Sequence, residues 1–270
     1  MISFPGCKVN IGLHILAKRP DGFHNIETLF YPLGFTDGLD IVQSDGAMEF
    51  TQSGLHLPGD QKSNLCIKAY ELLKRDYDLS TVKIHLHKKI PPGSGLGGGS
   101  SDAANTLILL NELFQLDLSK DQLAGYARQL GADCAFFVYN KPLIGKERGD
   151  VFEETVVDLS GYHIVIIKPK DHVITSNAYG KVTPCNSRKP LKELVKQPVN
   201  KWRDTMVNDF EDVIFKEYPN IKNIKSTLYK KGAIYASMTG SGSAVYGIFE
   251  HEPKKLENVF GDYLLWREKV

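Results

Sequence analysis

Pro91-Pro92-Gly93-Ser94-Gly95-Leu96-Gly97-Gly98-Gly99-Ser100-Ser101 is a glycine-rich loop that runs directly into an apolar stretch with helical spacing. Glycines let the backbone curl until successive N–H groups converge on one point. A helix start just after such a loop adds free N–H groups and partial positive charge. The helix is expected from about residue 101 to 114, with Ala104, Leu107, Ile108 and Leu110 or Asn111 along its rows. Ser100, Ser101 and Asp102 crowd its start, and all three are good cap residues. Together these features describe a phosphate cradle. The plainer alternative is a flexible linker, but a linker does not normally run straight into a capped apolar helix.

Two rival nucleotide motifs fit less well. No lysine follows the glycines, so the Walker pattern is absent. Gly93, Gly95 and Gly98 satisfy G-x-G-x-x-G, which is weak alone. A dinucleotide site wants a buried parallel strand before it. Here Val82, Ile84 and Leu86 alternate with Lys83, His85 and His87, the pattern of a half-exposed strand.

Further from the loop, Val9, Ile11 and Leu13 alternate with Lys8, Asn10 and Gly12. That is strand periodicity, and it puts Lys8 and Asn10 on one face. Pro20-Asp21-Gly22 and Asp37-Gly38 read as turns, the second before a strand at 39–42. A helix is expected at 64–74. Ser119 and Gln122 form a capping box for another, which Gly131 should close. A strand is expected at 162–167 and a polar, proline-punctuated surface excursion at 186–201. Strands at 233–238 and 244–249 flank Thr239-Gly240-Ser241-Gly242-Ser243, and a final helix should run from Pro253 towards Trp266. Strands and helices mix without strict alternation, which points to an α+β fold.

The chain has 270 residues, 42% apolar and 24% charged, the mix of a soluble globular protein with room for two domains. A net charge of +1 gives no field for nucleic acid or a membrane surface, so an anionic ligand must be held by local groups. Cys7, Cys66, Cys134 and Cys185 form no C-x-x-C pair and no zinc spacing, as expected of reduced cysteines in a cytoplasmic protein. Residues 1–17 lack a signal-peptide pattern, and no apolar run approaches a membrane span.

Single residues say less. Asp133 lies between a helix stop and the apolar Ala135-Phe136-Phe137-Val138. It suits a base held against a hydrophobic wall, but spacing alone favours an ordinary cap or turn aspartate. A lone strand lysine such as Lys8 is usually solvated. The loop from Thr239 to Ser243 suits a second phosphate-facing turn, or simply a hairpin.

Taken together, the 91–101 loop, Lys8-Val9-Asn10 and Thr239-Gly240-Ser241-Gly242 resemble the three motifs of the GHMP kinases. The match sharpens with Lys8-x-Asn10-x-Gly12-Leu13, Arg19-Pro20-Asp21-Gly22-Phe23-His24 and Leu130-Gly131-Ala132-Asp133. These resemble the branch that phosphorylates a cytidine-diphosphate-linked methylerythritol in the non-mevalonate route to isoprenoids. The motif order spans the chain, strongest over 1–140, clear again at 236–249 and weak over 141–230.

The resemblance implies a two-domain α+β kinase, domains 1–157 and 158–270, with the active site in the cleft between them. It implies ATP as phosphoryl donor, with Mg2+ held mainly by the phosphates and its protein ligands undetermined. The partner is a small-molecule cytidine diphosphate derivative, with no nucleic acid or membrane partner and an open oligomeric state. Asp133 matches the catalytic base and Lys8 the lysine beside it. Asn10 matches a polar substrate contact, His24 a cytosine hydrogen-bonding residue and Tyr179 a second aromatic on the base. Asn64, Leu65 and Lys88 match positions around adenine. Pro91 to Ser101 (including Pro92, Ser94, Leu96 and Gly99), with Thr239 and Gly240, match the ATP-binding turns. The family usually has tyrosine at position 23, and Phe23 keeps the stack without the phenol. Ala135 stands where proline is common, which removes no reacting group. Other kinases of the group, a non-catalytic nucleotide-binding regulator and a dinucleotide-dependent oxidoreductase are the alternatives. The Pro20 to His24 segment, the joint presence of Lys8 and Asp133, and the alternating strand argue against them in turn.

Overall fold

The computed structural model describes residues 1–57 and 59–270. The chain folds as two compact units. One holds Met1–Lys8, Pro32–Pro92 and Gly97–Lys141, and the other holds Val9–Tyr31, Gly93–Leu96 and Pro142–Val270. The long strands Gly6–Lys18 and His24–Thr36 each have residues in both units, and so does the glycine-rich loop.

In the first unit Val82–Lys88 lies inside a four-stranded sheet. It is antiparallel to Gly38–Gln43 and parallel to Glu49–Gly54. Its alternation sends Val82, Ile84 and Leu86 inward and Lys83, His85 and His87 outward, as expected. The helix Leu65–Asp76 lies on the connection between the two parallel strands, as parallel pairing requires. Asn64 caps it, its Oδ1 accepting the Cys66 N–H at 2.9 Å. The next helix, Gly98–Leu113, starts inside the glycine run, earlier than expected. Gly97 takes the cap position at φ 75°, a left-handed conformation open to glycine, and no side chain caps the helix. Ser100, Ser101 and Asp102 therefore lie within the helix. Ser119 and Gln122 make the capping box of Lys120–Leu130, which ends at Gly131 as expected. The apolar run after Asp133 is a short helix, Cys134–Tyr139.

The second unit has two antiparallel layers. The strand His24–Thr36 pairs with Leu143–Glu147, which pairs with Val151–Glu154. The other sheet has the order Tyr235–Met238, Val245–Phe249, His163–Lys168, Leu264–Lys269. Its core residues include Val165, Ile167, Ile224, Leu228, Ala236 and Val245. The expected C-terminal helix is not formed. Only Glu257–Phe260 is helical, and Leu264–Lys269 is an edge strand with Trp266 opposite Ile166. A short apolar run fits either period, and here pairing with His163–Lys168 satisfies its backbone groups. The 186–201 segment is not a surface excursion either. Leu191, Leu194, Val195 and Val199 are buried. Leu191 packs on Gly12, where an added Cβ would lie 2.8 Å from its Cδ2. Among the described residues no helix is long and apolar enough to cross a membrane.

Candidate active site

Lys8 sits in the strand Gly6–Lys18, and Asp133 immediately precedes the helix Cys134–Tyr139. Both belong to the first unit. Lys8 Nζ is 3.4 Å from Asp133 Oδ2, with side-chain exposures of 3% and 35%. The lysine is not solvated, unlike a usual lone strand lysine, while Asp133 sits in a turn at the N-cap position without its side chain capping the helix. Gly97 keeps this pair in place by lacking a side chain. A Cβ there would lie 2.8 Å from Phe137 Cζ and 3.2 Å from Lys8 Cε. A buried ammonium facing a partly open carboxylate holds that carboxylate in position and leaves it accessible to a proton donor.

The helix that follows offers donors. Its first intrahelical bond in this turn runs from Ser101 N–H to Gly97 O at 2.9 Å. The N–H groups of Gly98, Gly99 and Ser100 come before it and have no acceptor within the helix. Gly99 faces open space, with nothing within 4 Å of an added Cβ. Gly98 faces inward, where a Cβ would meet Ile90 Cγ2 at 2.8 Å and Lys88 Nζ at 3.3 Å. Its need for glycine is therefore set by Ile90 and Lys88.

Lys88 was expected near adenine, but its side chain is only 2% exposed and its ammonium is committed to Asp37 and Asp102. The Asp102 Oδ2 contact is 2.6 Å. Asp37 Oδ1 also accepts the N–H groups of Lys89 and Ile90 at 2.6 and 2.8 Å, fixing the chain as it enters the loop. Burial raises the Asp102 carboxyl pKa; Lys88 opposes this and Asp37 adds to it. For Lys88 burial works the other way, and the two carboxylates outweigh it to raise the ammonium. The cluster holds the loop from beneath. The Lys88 side chain is therefore not left for a ligand, and its backbone carbonyl accepts the Leu55 N–H at 2.9 Å. Asn64 and Leu65 are half-buried at the start of their helix.

In the second unit Gly95 and the Thr239–Ser243 turn pack together. Thr239 Oγ1 donates to Gly95 O at 3.1 Å and accepts the Asn10 N–H at 3.1 Å. A Cβ on Gly95 would collide with the Thr239 carbonyl, and Gly240 adopts φ 57° beside it. The Asn10 side chain, expected to meet substrate, donates to Thr28 Oγ1 at 2.9 Å and lies 3.2 Å from Thr239 Oγ1. These contacts fix the amide from within the protein. Asn208 Nδ2 donates to both Met238 O and Gly240 O, at 2.8 and 2.9 Å, and so braces the turn.

Phe23 is 55% exposed on a tightly braced turn. Arg19 N–H bonds Phe23 O at 2.8 Å, and Asp21 Oδ1 accepts the Phe23 N–H at 3.1 Å. His24 is buried and stacks on Tyr179, with ring centroids 5.1 Å apart and planes at 25°. Tyr179 in turn meets Phe210 edge-on at 4.8 Å. Tyr179 therefore supports His24 directly. Burial, then Lys18, lowers the His24 pKa, so its imidazole is neutral at pH 7, with one donor and one acceptor nitrogen.

Asp37, Asp102 and Asn208 escaped the sequence reasoning. Asp37 read as a turn residue and Asp102 as a cap, and nothing local marked either as a partner of Lys88. Asn208 lies in the stretch where the family resemblance is weak. Among the described residues no three His, Cys, Asp or Glu side chains come together as a metal cage.

The GHMP kinase N-terminal domain model matches residues 64–141 and the GHMP kinase C-terminal model residues 191–263. The 4-diphosphocytidyl-2-C-methyl-D-erythritol kinase of Cytophaga hutchinsonii is 51% identical over 94% of this chain and 94% of its own. That of Bacteroides thetaiotaomicron is 49% identical over 97% and 96%. A crystal structure of 4-(cytidine 5'-diphospho)-2C-methyl-D-erythritol kinase superposes with a TM-score of 0.82 at 27% identity, covering 99% of this chain and 98% of its own. A mevalonate kinase at 16% identity and TM-score 0.74 shares the fold. The chain therefore belongs to the 4-diphosphocytidyl-2-C-methyl-D-erythritol kinase family, within the GHMP kinases.

Proposed function

We propose that this ATP-dependent kinase phosphorylates a hydroxyl of 4-diphosphocytidyl-2-C-methyl-D-erythritol to give the 2-phosphate, with Asp133 as base. The observation that carries the role of Asp133 is its pairing with buried Lys8 at 3.4 Å. Asp133 takes the proton of the acceptor hydroxyl as its oxygen attacks the γ-phosphorus. The bond from that phosphorus to the β-phosphate oxygen breaks, and ADP leaves. Lys8 orients the carboxylate and offsets negative charge around the transferring group. The free N–H groups at Gly98 to Ser100, with the backbone of Gly95 and the Thr239–Gly240 turn, bind ATP phosphates. Magnesium carried by ATP would be held mainly by the phosphates and would supply positive charge against the transferring phosphoryl group.

Phe23 stacks the cytosine and His24 hydrogen-bonds its polar edge, while Tyr179 holds His24 in place. Asn10 contacts the acceptor. The protein works in the cytoplasm. An acceptor screen with ATP, read by mass spectrometry of the product, tests this. Phosphate appearing on homoserine or mevalonate, and not on the cytidyl alcohol, would overturn the substrate assignment.

A further inference from the structure

The tip between Leu143–Glu147 and Val151–Glu154 carries Arg148, which no step of the proposed reaction uses. Its guanidinium carbon lies 5.5 Å from the centroid of the Phe23 ring. Its Nη2 donates to Asp150 Oδ2 at 2.7 Å. Asp150 is buried, so the guanidinium is held at its outer end by a fixed carboxylate. The same two turns are joined a second time, with Arg19 Nη1 3.5 Å from Glu147 Oε2. The hairpin tip is itself constrained, with Glu147 at φ 56°, Gly149 at φ 94° and a bond from Gly149 N–H to Lys146 O.

Phe23 is a half-exposed phenyl ring without a polar group to anchor it. Left alone, such a ring turns freely or folds onto nearby apolar surface. A guanidinium over one face prevents both, because the ring quadrupole attracts the cation and the flat group stacks on it. The ring as a whole remains 55% exposed, which leaves surface for a ligand. We infer that Arg148 is a specificity-determining positioning residue that backs Phe23 and presents the ring's other face to the pyrimidine of the acceptor. This rests on the assignment of cytosine to Phe23. Arg148 acts through Phe23 and does not itself touch the substrate.

The test is a double-mutant cycle on Phe23 and Arg148, read as the calorimetric Kd for 4-diphosphocytidyl-2-C-methyl-D-erythritol. Arg148→Ala should weaken binding about two- to five-fold, the size of one cation–π contact, while the Kd for ATP holds. In the Phe23→Ala background the same change should cost nothing more. Arg148→Lys keeps a cation beside Asp150 but loses the flat stack, so its Kd should fall between the two. It also carries the cycle if Arg148→Ala fails to fold once Asp150 loses this contact. An equal cost of Arg148→Ala with and without Phe23 would overturn the inference, because the guanidinium would then be reading the diphosphate directly. A Phe23→Ala effect beside an inert Arg148→Ala would remove this inference alone. An inert Phe23→Ala would remove the cytosine assignment and this inference with it.

Discussion

The Lys8 ammonium and the Asp133 carboxylate form an unequal pair, 3.4 Å apart, with the lysine side chain 3% exposed and the aspartate 35% exposed. The buried partner is fixed by its surroundings, while the open partner can meet a hydroxyl. This asymmetry suits a base that must be aimed and still accept a proton. Asp133→Asn keeps the shape but cannot take the proton, and a general base is typically worth ~10²–10⁴ in rate. The expected outcome is a fall in kcat of about that size or more, with the calorimetric Kd for ATP little changed. Turnover near wild type would take the base role away from Asp133.

The inward and outward glycines of the loop should separate stability from binding. A Cβ on Gly98 would sit 2.8 Å from Ile90 Cγ2, and Ile90 is fully buried. Gly98→Val should therefore lower Tm, since overpacking costs about 1–3 kcal/mol, and it should weaken ATP as well. Gly99 faces open space, so Gly99→Ala should leave Tm nearly unchanged. Its methyl group should still weaken ATP, because the proposed phosphate site lies along the backbone there. Wild-type ATP affinity in both variants would make the loop a connector and nothing more.

His14 gives the fold a pH dependence. It is fully buried with neither ring nitrogen hydrogen-bonded, and burial, then Arg188, pushes its pKa down to about 4. The unfolded chain binds a proton at His14 below about pH 6.5, and the folded chain resists it until about pH 4. Stability is thus complete above 6.5 and is lost as pH falls towards 4, by on the order of 2–3 kcal/mol. Urea melts of wild type and His14→Phe between pH 7.5 and 4.5 check this, with the variant expected to show the flatter profile. Parallel profiles would mean that other groups set the acid sensitivity.

The parts of the site that could be read from sequence are those written locally. The glycine loop, the capping box at Ser119 and the alternation around Lys8 each signal through residues a few positions apart. The Lys88 cluster could not be read so, because Asp37 lies far from Lys88 along the chain and meets it only when two antiparallel strands pair. The Lys8–Asp133 contact joins residues still further apart along the chain, and the family resemblance alone suggested it. Leu264–Lys269 was misread because an edge strand is chosen by its neighbour, His163–Lys168, and its own period is ambiguous. The buried leucines at 191 and 194 were hidden in a polar, proline-rich stretch whose burial depends on partners such as Gly12.

Substrate choice separates this kinase from relatives that share its fold. Phe23 is too exposed to be core, so Phe23→Ala should leave Tm almost unchanged. A base stacked on an aromatic is worth ~1–3 kcal/mol by truncation, so the same variant should raise KM for the cytidyl substrate about 5- to 150-fold. KM for ATP should barely move. His24 is buried against Tyr179, so its truncation to alanine disturbs packing as well as any hydrogen bond. His24→Gln is the cleaner variant, because it keeps a donor and an acceptor and should retain more affinity than His24→Ala. Tyr179 stacks on His24, so Tyr179→Ala should act through that ring and add little to His24→Ala. A site built to pair a polar edge penalises a ligand that lacks the partner, since its own groups are left unpaired. The cytidyl alcohol should therefore be strongly preferred over methylerythritol phosphate, which offers the same acceptor hydroxyl without a base. Equal kcat/KM for the two acceptors would sink the role of Phe23 and His24 while leaving Lys8 and Asp133 in theirs.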